Sequence, residues 1–179
     1  YNWYLNGNST TWVNLPFDIN GSFTNSTNVR DYSSLENNAT LVLNATNTGP
    51  YHNLTGGFDG FGAYEFDGID DYIVIDNDLN ITRTQPVSFS LWIKLNGYKN
   101  FIGLNSGTTA GSRLINFGSS GLNGAFICGR SNEWVTSDIN ISLDNWTHIV
   151  CSDNFDVMNI YVNGVLAKSE DYDESSVQA

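Results

Sequence analysis

The stretch AYEFDGIDDYIVID, Ala63 to Asp76, decides how this chain is read. Two short runs, AYEF and DYIVI, carry the aromatic and β-branched residues that suit strands. Between them stands Asp67-Gly68. Asp-Gly closes turns that require a positive φ, because glycine has no Cβ to clash there. The spacing of Glu65, Asp67 and Asp70 invites a catalytic reading. A retaining glycosidase needs two carboxylates about 5–5.5 Å apart, and Glu65 and Asp67 would share one side of a continuous strand. Gly68 breaks that strand directly after Asp67. The stretch therefore reads as strand, turn, strand, with no catalytic residue in it.

The same grammar repeats along the chain. Strand runs such as VSFSLWIKL (87–95), RLINFG (113–118), AFICGR (125–130) and THIVCSD (147–153) alternate with turn pairs. The pairs are Asn20-Gly21, Asp59-Gly60, Asp67-Gly68, Asn96-Gly97, Asn123-Gly124 and Asn163-Gly164. No segment sustains an apolar period of 3.6 over three turns. Short strands without helices between them imply an all-β fold, an antiparallel β-sandwich or barrel. In VSFSLWIKL, alternation sends Phe89, Leu91, Ile93 and Leu95 to one face and Ser88, Ser90, Trp92 and Lys94 to the other. MNIYVNGVLA reads as a hairpin closed by Asn163-Gly164, with Ile160 and Val162 facing Val165 and Ala167.

Composition narrows the partners. The 179 residues carry a net charge of −12 with only 7 Lys and Arg, which argues against nucleic acid and anionic membranes. No apolar run approaches the ~20 residues of a spanning helix, so membrane insertion is not expected. Nine N-x-S/T sequons occur, at Asn8, Asn20, Asn25, Asn38, Asn44, Asn53, Asn80, Asn140 and Asn145. Their density favours an extracellular or cell-surface protein bearing N-linked glycans. Two cysteines in strand-like runs, Cys128 and Cys151, read as one disulfide in that compartment.

The order of these pieces resembles a family. LPFD (15–18), DYSSLENNATL (31–41) with its D-x-S-x-x-x-N turn, and GGFDGFGAYEFDGIDDYIVI (56–75) are followed by FSLWIK, WTHIV (146–150) and IYVNGVL (160–166). Together they resemble the marks of laminin G-like, concanavalin A-like (pentraxin-type) domains, over about 150 residues. The resemblance implies a jelly-roll β-sandwich over residues 15–179, preceded by an N-terminal strand in residues 1–14 similar to an immunoglobulin-like surface repeat. It also implies a closing C-terminal strand that is absent before Ala179, as if the domain were truncated. An uncovered sheet edge would then invite strand exchange between copies and a filament.

The expected function is a non-catalytic surface module with a structural or adhesive role, binding a glycan or a surface protein. A homopolymeric filament subunit and a carbohydrate-binding module of a secreted enzyme are the alternatives. Domains of this type often hold calcium at a sandwich rim, and Asp67 and Asp70 are the residues expected to hold it if the turn does more than bond its own amides. Trp134 is the indole expected to be exposed for a ligand. His52 and His148 have no partner at zinc-ligand spacing, and His148 is read as a packed strand residue. No serine has the surroundings of a hydrolase triad.

Overall fold

The computed structural model describes residues 4–6, 8–17, 27–44, 48–75, 79, 86–98, 100–105, 113–118, 124–130, 133–154 and 156–171. All regular structure among them is β, and every strand pair is antiparallel. No helix among the described residues is long and apolar enough to cross a membrane. The chain divides into two compact units, residues 1–80 and 81–179.

In the first unit, β1 (Tyr4–Leu5) and β2 (Asn8–Ser9) form a small hairpin. β3 (Asn28–Val29) and β4 (Ala39–Val42) pair with each other. β5 (Tyr51–Asn53) and β6 (Ala63–Glu65) make a second hairpin, and β7 (Tyr72–Ile75) completes a sheet ordered β3-β4-β7. Val29, Ala39 and Leu41 form a small core, with Leu15, Phe17, Tyr64, Ile73 and Ile75 packed on it.

A core this small needs a polar anchor, and Asp31 supplies it. Its side chain is buried, yet its oxygens accept the amides of Asn14 (2.6 Å), Ser33 (2.8 Å) and Asn37 (2.8 Å) and the Ser33 hydroxyl (2.5 Å). Asn38 Oδ1 accepts the Asp31 amide in return, and Asn37 Nδ2 donates to the Trp12 carbonyl. This is the D-x-S-x-x-x-N turn of the sequence, tied to the strand-like segment before it. Burial pushes the Asp31 carboxyl up, but the donors of Ser33, Asn14 and Asn37 outweigh it and hold the group below its ordinary value.

The second unit is the sandwich. β8 (Val87–Lys94), β13 (Trp146–Asp153), β14 (Val157–Val162) and β15 (Val165–Asp171) form one sheet, ordered β15-β14-β13-β8. β9 (Asn100–Asn105), β10 (Arg113–Gly118), β11 (Ala125–Arg130) and β12 (Glu133–Asn140) form the other, ordered β12-β11-β10-β9. The expected alternation in β8 holds. Phe89, Leu91, Ile93 and Leu95 pack on the core, while Trp92 stays 44% exposed. β13 and β14 add Ile149, Cys151, Met158, Ile160 and Val162 from the same sheet, and the facing sheet adds Phe126, Cys128 and Val135. Cys128 and Cys151 are joined as a disulfide that crosses from one sheet to the other.

One local reading changes. The Asn163-Gly164 turn forms, with φ 49° and 79°, and Val162 pairs with Val165. A bulge then interrupts the ladder, so Lys168, not Ala167, lies opposite Ile160. The extra residue lets Ala167 turn into the core, where it is buried. Trp146 shares the side of β13 that carries His148, because buried Thr147 takes the inward position. Asn20-Gly21, Asn123 and the sequons at Asn20, Asn25 and Asn80 lie outside the described residues.

Two outcomes follow. Asp31→Ala strands several buried donors and should cost about 3 kcal/mol in urea denaturation followed by tryptophan fluorescence. The wild-type contribution is present above the ordinary aspartate pKa, about 3.9, and is lost as pH falls through the lower folded value; a stability flat from pH 5 to 2 would contradict it. Replacing both cysteines by alanine should cost about 3 kcal/mol for a loop of 23 residues, and an unchanged melting temperature would show that the bridge contributes nothing.

Candidate functional site

The loop between β6 and β7 is held in shape by its own aspartates. Gly68 sits at φ 75°, a conformation that a Cβ makes costly. Asp67 Oδ1 accepts the amides of Ile69 (2.8 Å) and Asp70 (3.3 Å), and Asp71 Oδ2 accepts the amide of Asp67 (2.9 Å). Both carboxylates therefore act first as turn caps. One oxygen each of Asp67, Asp70 and Asp71 still lies within 4.8 Å of the others. The pair named from the sequence is thus brought together, and Asp71 joins it. Its signal was the Asp70-Asp71 doublet, which stands directly before β7. Asp59, in the preceding loop, is not part of the group and accepts the Phe61 amide instead.

Beside this loop lies an open depression of about 340 Å³, lined by Thr48, Gly49, Tyr51, Glu65, Phe66, Asp67 and Asp71. The hairpin register sets its wall. Tyr51 pairs with Glu65 across β5 and β6 and stands 65% exposed, and Phe66 is 45% exposed. Asn53 Nδ2 donates to Glu65 Oε1 at 2.7 Å, and Asn44 Nδ2 donates to Asp70 Oδ1 at 3.3 Å. These two sequon asparagines thus hold acids at the rim of the depression, whereas Asn38, Asn140 and Asn145 are exposed. Asn8 lies in β2.

What the geometry can do is limited and definite. Glu65 ends β6, Asp67 lies in the turn, and the Asp67 carboxylate is already engaged with amides. Two rings, three acids and a hydroxyl around a shallow hollow suit a ligand with CH faces and several hydroxyls. Aromatic faces pack against apolar CH groups, and carboxylates accept from hydroxyl donors. Three converging carboxylate oxygens also suit a hard divalent cation, which takes oxygen ligands. Among the described residues, this is the one grouping of acids, histidines and cysteines with metal-binding spacing.

The other expected residues lie elsewhere. Trp134, on β12, is 47% exposed. His52 bonds the Phe17 carbonyl at 2.8 Å and packs on Tyr64. His148 is half-buried on β13, where its Nε2 meets the Ser90 hydroxyl at 2.8 Å and its ring lies 5.0 Å from Trp92.

The laminin G-type model described as the concanavalin A-like lectin/glucanases superfamily matches residues 67–179. The chain belongs to this family. No curated protein is a match for it. Two solved structures resemble this laminin G-like chain, each with a TM-score of 0.57. One is residues 221–444 of an S-layer domain-containing protein from Clostridium thermocellum ATCC 27405, at 17% identity over 88% of this chain and 71% of that one. The other is domain 4 of AbnA, a GH43 extracellular arabinanase from Geobacillus stearothermophilus, in complex with arabinotriose, at 20% identity over 80% and 70%. At such identities the likeness concerns the fold.

Proposed function

We propose that this laminin G-like chain is a non-catalytic, extracellular carbohydrate-binding surface module. The observation that carries the reading is the depression in which exposed Tyr51 and Phe66 stand beside Glu65, Asp67 and Asp71. Aromatic rings offer stacking surface, and the acids are fixed acceptors for sugar hydroxyls. The same acids disfavour uronates and sulfated sugars, as does the net charge of −12. The ligand class is therefore a neutral oligosaccharide. The arabinotriose carried by the arabinanase domain of similar fold supports a ligand of that kind. The disulfide and the sequon density support an oxidising, glycosylating exterior.

Calcium belongs to the same reading. Asp67, Asp70 and Asp71 would each give it one oxygen, with carbonyls and water completing the shell. Bound there, it would neutralise the turn and stiffen the rim of the depression.

Tyr51→Ala and Phe66→Ala should each weaken binding of a neutral oligosaccharide panel about tenfold in calorimetric titration, while Glu65→Gln leaves no hydrolytic activity to lose. Binding unaffected by both ring deletions would overturn the reading. Millimolar calcium should raise the melting temperature and a chelator should reverse it, by mass action. Asp70→Ala should abolish that response, and a flat response in the parent protein would remove the metal site.

A further inference from the structure

The outward side of the sheet β15-β14-β13-β8 has a composition that the chain as a whole does not share. The chain carries 19 acids. The outward positions of β8, β13 and β14 carry none, and the nearest by register, Asp171, sits opposite Val157 at a corner of the sheet. In their place stand aromatic rings, serines and an asparagine. Trp92 pairs with His148 across the ladder, Lys94 pairs with Trp146, and Tyr161 pairs with Val150 one strand further on.

The centre of this face is built, not incidental. The Trp92 and His148 rings lie 5.0 Å apart at 30°, a tilted stacked contact that braces Trp92 while leaving it 44% exposed. The Ser90 hydroxyl holds His148 Nε2 at 2.8 Å. The Asn163 side chain accepts the His148 amide at 2.9 Å and fixes the backbone beneath the ring. A ring so restrained loses little entropy on binding.

We propose that this face, centred on Trp92 and His148, is a binding surface for the flat side of an uncharged polysaccharide chain. Sheet strands lie about 4.8 Å apart, so Trp92 and Tyr161, two strands apart, span the length of about two sugar rings. Ser90 flanks Trp92 along β8 and Asn159 flanks Tyr161 along β14, so hydroxyl and amide groups lie beside the rings, which suits CH faces bordered by hydroxyls. A protein interface core would instead bring contiguous apolar area. Nucleic acid is disfavoured by the net charge of −12, and a lone Lys94 is too little to recruit a polyanion. The surface uses none of the residues of the depression around Tyr51.

Affinity electrophoresis of the intact protein in gels containing β-glucan, xylan, arabinan or galactomannan tests the proposal, with polygalacturonate as the charged comparator. At least one neutral polymer should retard the parent. Trp92→Ala should weaken that retardation about tenfold, and Trp92→Phe should restore most of it. In the parent protein, the retarding polymer should protect Trp92 from indole oxidation, read by peptide mass spectrometry, and leave Trp134 unprotected. Retardation by none of the neutral polymers, equal retardation of Trp92→Ala, stronger retardation by polygalacturonate, or undiminished Trp92 oxidation would each overturn it. Loss on Tyr51→Ala together with full binding by Trp92→Ala would assign the ligand to the depression alone.

Discussion

One constraint organises the sandwich: in β8, β13 and β14, consecutive side chains must point to opposite sides of the sheet. Phe89, Leu91, Ile149, Cys151, Met158 and Ile160 are thereby committed to one side and become core. The inter-sheet disulfide follows, because Cys151 inherits an inward position and meets Cys128 from the facing sheet. So does the outer face, because the residues left over on the other side, Trp92 and His148 among them, have nowhere else to go. Shifting β8 by one residue would exchange the two sets and bury Lys94.

The first unit is organised differently. Its apolar core is small, and polar groups carry much of the order. Asp31 gathers amides from two stretches of chain, and Asp67 and Asp71 cap the turn beside the depression. In each case a short acid side chain satisfies backbone donors that no sheet ladder reaches. Placing carboxylates where backbone needs them has a by-product. One oxygen each of Asp67, Asp70 and Asp71 converges at that turn, and beside exposed rings they make a surface suited to hydroxylated ligands or a divalent cation.

The turn at Asp67-Gly68, the face of Trp92 and the hairpin at Asn163-Gly164 were legible in the sequence, because each depends on one or two residues and a period of two. The position of Ala167 was not, since a β-bulge is a response of the ladder to its neighbours and leaves no mark in composition. Trp146 shows a related effect: it is large and apolar, but Thr147 takes the inward place, and strand phase overrides hydrophobicity. The acids at 67, 70 and 71 were visible as a run of aspartates. Their neighbours Tyr51 and Thr48 were not, because they arrive from another strand and its approach.

By itself, the sequence determined the all-β class, the places of the main turns, the inward set of β8 and the conflict between Gly68 and a catalytic strand. These are local properties, governed by φ preferences and alternation. The tertiary structure alone decided which segments became neighbours. It set Tyr51 opposite Glu65 and laid the Trp92 ring beside His148. Those pairings depend on ladder register between strands up to about sixty residues apart, and register is set by the packing of whole faces, which no short stretch encodes.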